Sequence, residues 1–126
     1  MAFQTIIAAK LAQVALPTSI SLSTGAGVLY ISPLSTQTYL KYMDICNTTT
    51  SAVTVYVFLV PSVTQTSGAF TTGTAGTGNA ILYNVSLPAS TTLHWTGTQI
   101  MLPGDSIQAY ASATGVTLTA SGATAT

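Results

Sequence analysis

Few side chains in this sequence could carry catalysis. It contains one histidine, His94, one cysteine, Cys46, two aspartates and no glutamate. A Ser-His-Asp triad drawn from His94, Asp105 and one of the many serines lacks the G-x-S-x-G turn that presents a nucleophilic serine. General acid–base catalysis also needs titratable groups in convergent positions, and this inventory offers almost none. We therefore expect no catalytic residues and no enzymatic activity.

Metal and cofactor sites have equally little support. The residues His94 and Cys46 and the two aspartates are scattered along the chain and show none of the ligand spacings of zinc or calcium sites. Glycines 73, 76 and 78 form a G-x-x-G-x-G run, but a phosphate loop also needs a strand-to-helix context and a nearby lysine. We interpret the single cysteine, Cys46, as a small buried apolar residue. We expect no metal and no cofactor.

Charge is almost absent from the chain. Only 3% of the 126 residues are charged, whereas an ordinary soluble domain carries about 25%. Two separated lysines, Lys10 and Lys41, cannot neutralise a nucleic-acid backbone, so we expect no direct nucleic-acid binding. A net charge of zero and a surface rich in Ser, Thr, Ala and Gly leave little repulsion between copies. These features favour a homo-oligomer.

The first sixteen residues are apolar in character, but they fit neither a signal peptide nor a membrane span. They lack a basic n-region, Lys10 interrupts their longest apolar stretch, and the segment is too short to cross a bilayer. We predict an arm or a first strand over residues 1–16, synthesis inside the cell and no membrane association.

Strand signals dominate after Pro17, where short runs of Val, Ile, Tyr, Thr and Leu are separated by Gly, Pro, Asn and Ser. The clearest strand is Val53–Val60, which could be buried on both faces. Segment 38–47 is predicted to form a hairpin with it through the turn at 47–51, and segments 80–87 and 91–95 to form a second hairpin. Further strand segments are predicted at 100–102, 106–111 and 116–120, with a Pro-Gly-Asp turn at 103–105.

About eight short strands at hairpin spacing, without a helix of crossover length, predict an antiparallel β-sandwich of the jelly-roll or immunoglobulin-like kind. The pattern leaves these two alternatives open. We place the sandwich at residues 17–120, after the N-terminal arm 1–16 and before a loose tail at 121–126. The Gly- and Thr-rich segment 62–79 is predicted to be a long loop, which either contacts a neighbour or is a flexible, solvated excursion.

The aromatic residues make carbohydrate binding an alternative function, because sugar rings can stack on aromatic rings. Most of them lie within strand patterns, which favours core or interface positions over sugar platforms. The residues concerned are Trp95 and the six tyrosines, Tyr30, Tyr39, Tyr42, Tyr56, Tyr83 and Tyr110.

Several short motifs follow one another between roughly residues 38 and 120. They are N-T-T at 47–49, V-T-V at 53–55, L-V-P-S at 59–62, N-A-I-L at 79–82, V-S-L-P-A at 85–89 and L-P-G-D-S-I-Q-A at 102–109. Their order resembles that of a family of small virion-associated proteins of tailed phages. A longer Gly/Thr loop and a longer N-terminal arm depart from the family's pattern.

The resemblance implies a structural subunit of the virion, assembled in the cytoplasm of a bacterial host. Its leading form is a head decoration or cement protein that contacts its own copies and the major capsid protein or other virion proteins. A collar, tail or fibre subunit is the alternative, and a carbohydrate-binding module on the virion surface is the second. We expect contacts from apolar residues outside the sandwich pattern, namely Ile6, Ile7, Leu11, Val14 and Leu16 in the arm and Phe70 in the loop.

Overall fold

The computed structural model describes residues 5–18, 27–66 and 69–126, with the backbone alone for 64–66 and 69–71. Regular structure in these residues is almost entirely β. The strands are β1 (Ile6–Ala15), β2 (Gly27–Ile31), β3 (Gln37–Asn47), β4 (Val53–Val60), β5 (Thr64–Thr66), β6 (Ala69–Thr71), β7 (Ala80–Leu87), β8 (Thr92–Met101), β9 (Ser106–Ala111) and β10 (Val116–Ala125), with one 3-10 turn at Thr77–Asn79.

Two four-stranded antiparallel sheets pack face to face as a sandwich. The first sheet has the order β1-β10-β3-β8 and the second has the order β2-β9-β4-β7. The pairs β1 with β10, β2 with β9, β3 with β8 and β4 with β7 are all antiparallel, so the chain pairs like one long hairpin rolled over on itself. This is the strand order of a jelly roll. The predicted all-β sandwich is confirmed, and the strand order distinguishes between the two topologies that the sequence left open.

The core lies between the sheets and follows the period-2 alternation of the strands. Val55 and Val57 of β4 meet Leu40, Met43 and Ile45 of β3, and all five side chains are completely buried. Burying an aliphatic side chain of this size contributes about 1.5–3 kcal/mol. The inner faces of β3 and β4 therefore hold the two sheets together.

Both predicted hairpins are wrong, because the strands they join lie in different sheets. Strand β3 belongs to the first sheet and β4 to the second, and β7 and β8 are divided in the same way. The connections at 48–52 and 88–91 cross between the sheets. A short polar connection fits either a hairpin or such a crossing, and the pairing partners that decide between them lie far away in the sequence.

The sandwich extends beyond residues 17–120 at both ends of the chain. Residues 6–15 form edge strand β1, and the segment 121–126, expected to be loose, instead completes β10 as far as Ala125. Ala125 is paired on both sides, with Ile6 and with Gln37. Small residues give a weak strand signal, but Gly122 is required here, since a Cβ at this position would lie 1.7 Å from the Tyr39 carbonyl oxygen.

The segment predicted as a long loop, 62–79, contains the β5–β6 hairpin and the 3-10 turn. Part of it folds back over the outer face of the second sheet, where the Gln108 side-chain amide donates to the Gly73 carbonyl at 2.9 Å. Ala75 packs there in a second apolar cluster with Phe58 and Tyr110. Strand β4 is therefore buried on both faces, as its sequence predicts.

Candidate functional site

The strand register gathers several exposed apolar residues at one end of the sandwich. Strand β1 begins opposite the end of β10, and Thr38 near the start of β3 pairs with Met101 at the end of β8. Seven of the eleven exposed large apolar side chains in the described residues lie at this end, which we call the apolar end. They are Ile6, Ile7, Ile31, Leu34, Val63, Ile100 and Leu102.

Asp105 holds the loops of the apolar end together. Its carboxylate accepts hydrogen bonds from the backbone N–H of Ser62 at 3.1 Å and of Leu102 at 2.9 Å. Its backbone carbonyl accepts from Ser32 N–H at 2.8 Å, and Gly104 N–H donates to the Ser32 carbonyl at 2.9 Å. Three connections thus meet at one residue. The side chains of Leu34 and Leu102 in these connections are each 50% exposed.

The opposite end of the sandwich, which we call the Asn47 end, has a different surface. Three of its connections, at 48–52, 88–91 and 112–115, contain only Thr, Ser, Ala, Pro and Gly. Asn47 is completely buried there, and its side-chain NH₂ donates to the carbonyls of Ser51, Leu87 and Pro88 at 2.8–3.1 Å. Its side-chain oxygen accepts from Thr49, both from the backbone N–H and from the hydroxyl. The N-T-T motif therefore ties two crossings between the sheets.

The structure divides the six predicted contact residues into three groups. Ile6, Ile7 and Val14 are 69%, 57% and 40% exposed, so they are accessible to a partner. Leu11 and Leu16 instead belong to the core of the chain itself, because residues 6–15 form a strand whose inner face packs against the sandwich. The side chain of Phe70 lies outside the part of the chain that the structure describes.

A small group of titratable side chains occupies the outer face of the first sheet. His94 on β8 pairs across the strands with Asp44 on β3, and its Nδ1 contacts the Asp44 carboxylate. The Tyr42 hydroxyl lies 3.4 Å from the same nitrogen. The pKa of Tyr42 is raised above its ordinary value. The largest cause is hydrogen bonding to Asp44, and burial and the charge of Asp44 raise it further. The structure thus brings His94 to Asp44, fifty residues away, and not to Asp105.

Other ligand chemistry has little support in the described residues. No group of three or more His, Cys, Asp or Glu stands close enough there to hold a metal ion. None of the helical segments described has the length and apolar character needed to cross a membrane. Cys46 has a free thiol and is half-buried, which is less burial than the sequence predicted.

An open cleft lies between edge strands β7 and β8, where the two sheets separate. We call it the edge cleft; its volume is about 540 Å³. No sequence motif predicts this cleft, although the apolar pattern of β8 is interrupted at residues 96–99. It is lined by Leu59, Pro61, Gly78, Asn79, Ala80, Ile81, Trp95 and Gln99.

Comparison with known proteins gives no match to a family model, a curated protein or a solved structure. The resemblance to phage virion proteins therefore stays a prediction from the motifs. Two of those motifs have structural roles in this fold, since N-T-T places Asn47 at one end and L-P-G-D places Asp105 at the other.

Proposed function

We propose that the chain is a non-enzymatic structural subunit of a tailed-phage virion, in the form of a head decoration or cement protein. The observation that carries the proposal is the concentration of exposed apolar side chains at one end of a nearly uncharged sandwich. Exposed apolar groups collected in one region mark an interaction surface more strongly than the same groups scattered singly. The apolar end is then the surface that attaches the subunit to the capsid shell.

The magnitude of the apolar contribution favours attachment of many copies. The seven side chains are 37–69% exposed. Burying the exposed part of each one in an interface contributes about 1 kcal/mol. Together they supply roughly 7 kcal/mol, whereas a micromolar complex needs about 8 kcal/mol after the costs of association. A single copy should bind weakly through this end. Lateral contacts between copies on a repeating lattice would raise the overall affinity without stronger individual contacts.

The scarcity of charge supports the same assembly. Neighbouring copies with a net charge of zero have little electrostatic repulsion, so sheet faces and edges with few charged residues can approach closely. The partners we propose are other copies of the chain and the major capsid protein or another virion protein. Direct binding to nucleic acid is not part of the proposal, because the chain has only two basic residues among Lys and Arg.

The number of copies in purified particles tests this function. Quantitative mass spectrometry of the virion should find hundreds of copies, distributed over the head in a cryo-electron microscopy map. A dozen or fewer copies at one vertex would favour the alternative, a collar, tail or fibre subunit. Absence from particles that were produced by cells expressing the chain would contradict any virion role.

A further inference from the structure

Part of the inner face of β8 is not apolar, although inner faces of a sandwich normally carry apolar side chains. Trp95 pairs with Met43 and Gln99 pairs with Leu40, and both partners are completely buried on the inner face of β3. Because directly paired residues share a face of the sheet, Trp95 and Gln99 also point inward. Gly97 lies between them on the same strand. An inner face should carry apolar side chains, yet at position 99 it carries an exposed amide, and the exposed Gly97 lies in the register shift between the Thr96 and Gln99 pairs.

The edge cleft lies beside this stretch of β8, where Trp95 and Gln99 line it. Its walls are the inner faces of both sheets, with Ile81 on one side and Trp95 and Gln99 on the other, and Asn79 of the 3-10 turn lies at its margin. A volume of about 540 Å³ is within the range of roughly 300–1,000 Å³ that small-molecule sites occupy. A break in the core pattern that coincides with a cleft of this size is the kind of local inconsistency expected at a functional site.

The lining combines one aromatic ring with side-chain amides. A Cβ at position 97 would lie 3.4 Å from Cζ2 and Cη2 of Trp95, so the glycine leaves the flank of the indole uncovered. The Asn79 amide is fixed in place, because its oxygen accepts from Gly76 N–H at 3.0 Å and its nitrogen donates to the Thr74 carbonyl at 3.3 Å. That nitrogen has a second N–H for a ligand, and the Gln99 amide can both donate and accept.

The charge of the cleft restricts the ligand. None of the four charged residues of the chain, Lys10, Lys41, Asp44 and Asp105, lines it. A phosphate or carboxylate ligand would need a cation to offset its desolvation, and a purely apolar ligand would leave the amides unpaired. An aromatic surface beside neutral amides suits a neutral molecule with one apolar face and a rim of hydroxyl groups.

We propose that the edge cleft binds a neutral saccharide. The C–H face of a pyranose ring packs on the indole of Trp95, and its hydroxyl groups hydrogen-bond to the amides of Gln99 and Asn79. The site does not depend on the proposed virion role, since it is formed within one chain. On a particle it would give the subunit affinity for a neutral glycan surface in addition to its structural role.

The single tryptophan of the chain makes the test direct, because all indole fluorescence comes from Trp95. The full chain is titrated with maltotriose, cellotriose, mannotriose and tri-N-acetylchitotriose, with glycerol as a polyol that has no ring. At least one trisaccharide should change the fluorescence with a saturable, millimolar dependence. Gln99→Ala should weaken that saccharide about three- to tenfold through the loss of hydrogen bonds. Gln13→Ala, which removes an exposed glutamine on β1, should bind like the wild type.

Three results would overturn the saccharide site. The first is that none of the four trisaccharides changes either the fluorescence or the amide NMR shifts of Gly78, Asn79 and Gln99. The second is an equal response to glycerol, which would show an additive effect only. The third is unchanged affinity in Gln99→Ala. Because the wild-type titration needs no variant, a folding defect in Gln99→Ala would leave the first two criteria intact.

Discussion

At both ends of the sandwich a single polar side chain holds the loops, Asn47 at one end and Asp105 at the other, but the surfaces around them differ. Three connections of the Asn47 end, 48–52, 88–91 and 112–115, contain only small or hydroxylated residues and proline, whereas the apolar end has seven of the eleven large apolar side chains that are exposed in the described residues. Hydrogen bonds to one residue hold each set of loops, and the exposed apolar side chains take no part in them. We therefore assign a binding role to the exposed apolar residues, which only one end has. The hydrogen-bonded polar side chain, which both ends have, contributes to stability.

The largest expected effect on stability is at the Asn47 end. Asn47→Ala removes an amide that serves three carbonyls and two donors of Thr49 in a buried site. Leaving buried backbone groups unpaired costs about 1–3 kcal/mol for each group that water cannot reach. We expect the free energy of unfolding to fall by about 3 kcal/mol in urea denaturation. Thr50→Ala, an exposed change in the same loop, serves as the control and should change it by less than about 0.5 kcal/mol.

A smaller loss is expected at the apolar end from Asp105→Ala. The substitution removes two hydrogen bonds from backbone N–H groups to the carboxylate. Both N–H groups lie in loops that water can partly reach, so we expect a loss of about 2 kcal/mol by the same measurement. Asp44→Ala removes the other aspartate, which lies on a sheet face, and should cost less. A larger loss of stability in Asp105→Ala than in Asn47→Ala would contradict the expectation that the Asn47 end contributes more to stability.

The smallest effect concerns the sheet face between the two ends. Hydrogen bonding to Asp44, burial and the charge of Asp44 raise the pKa of Tyr42. The folded chain therefore holds this phenolic proton more tightly than the unfolded chain. The associated stability is complete below the ordinary tyrosine pKa of about 10 and is lost as the pH rises through the higher folded value.

Asp44→Asn should lower the pKa of Tyr42 toward that ordinary value. The measurement is the pH dependence of the tyrosine ring carbon shifts by NMR, with Tyr42→Phe identifying the resonance. An unchanged pKa in Asp44→Asn would show that the carboxylate does not control this phenol.

Local pattern in the sequence predicts individual strands well. The ranges 53–60, 80–87 and 106–111 are reproduced as β4, β7 and β9, because each combines alternating apolar residues with a turn signal at its ends. The turn at 103–105 is also reproduced, since proline, glycine and aspartate each favour that geometry for a separate reason.

The assignment of strands to sheets could not be predicted in the same way. Strand β3 pairs with β10 and β8, and nothing within a few residues of β3 encodes those partners. The contact between Asp44 and His94 was missed for the same reason. Strand β8 was predicted as two segments because residues 96–99 lack apolar side chains, and that gap is where the edge cleft lies.

The apolar end is the surface that we propose attaches the subunit to its particle. Leu34→Ser with Leu102→Ser removes two side chains from this end that are each 50% exposed, and Val28→Ser removes a side chain elsewhere that is 47% exposed. Both variants should keep the free energy of unfolding within about 1 kcal/mol of the wild type, since exposed substitutions usually have small effects.

The measurement is the amount of each variant that co-sediments with particles lacking the wild-type chain. We predict that the Leu34/Leu102 variant loses at least tenfold in apparent affinity while the Val28 variant binds like the wild type. Equal binding by the two variants, or a loss confined to the Val28 variant, would contradict the assignment of the apolar end as the attachment surface.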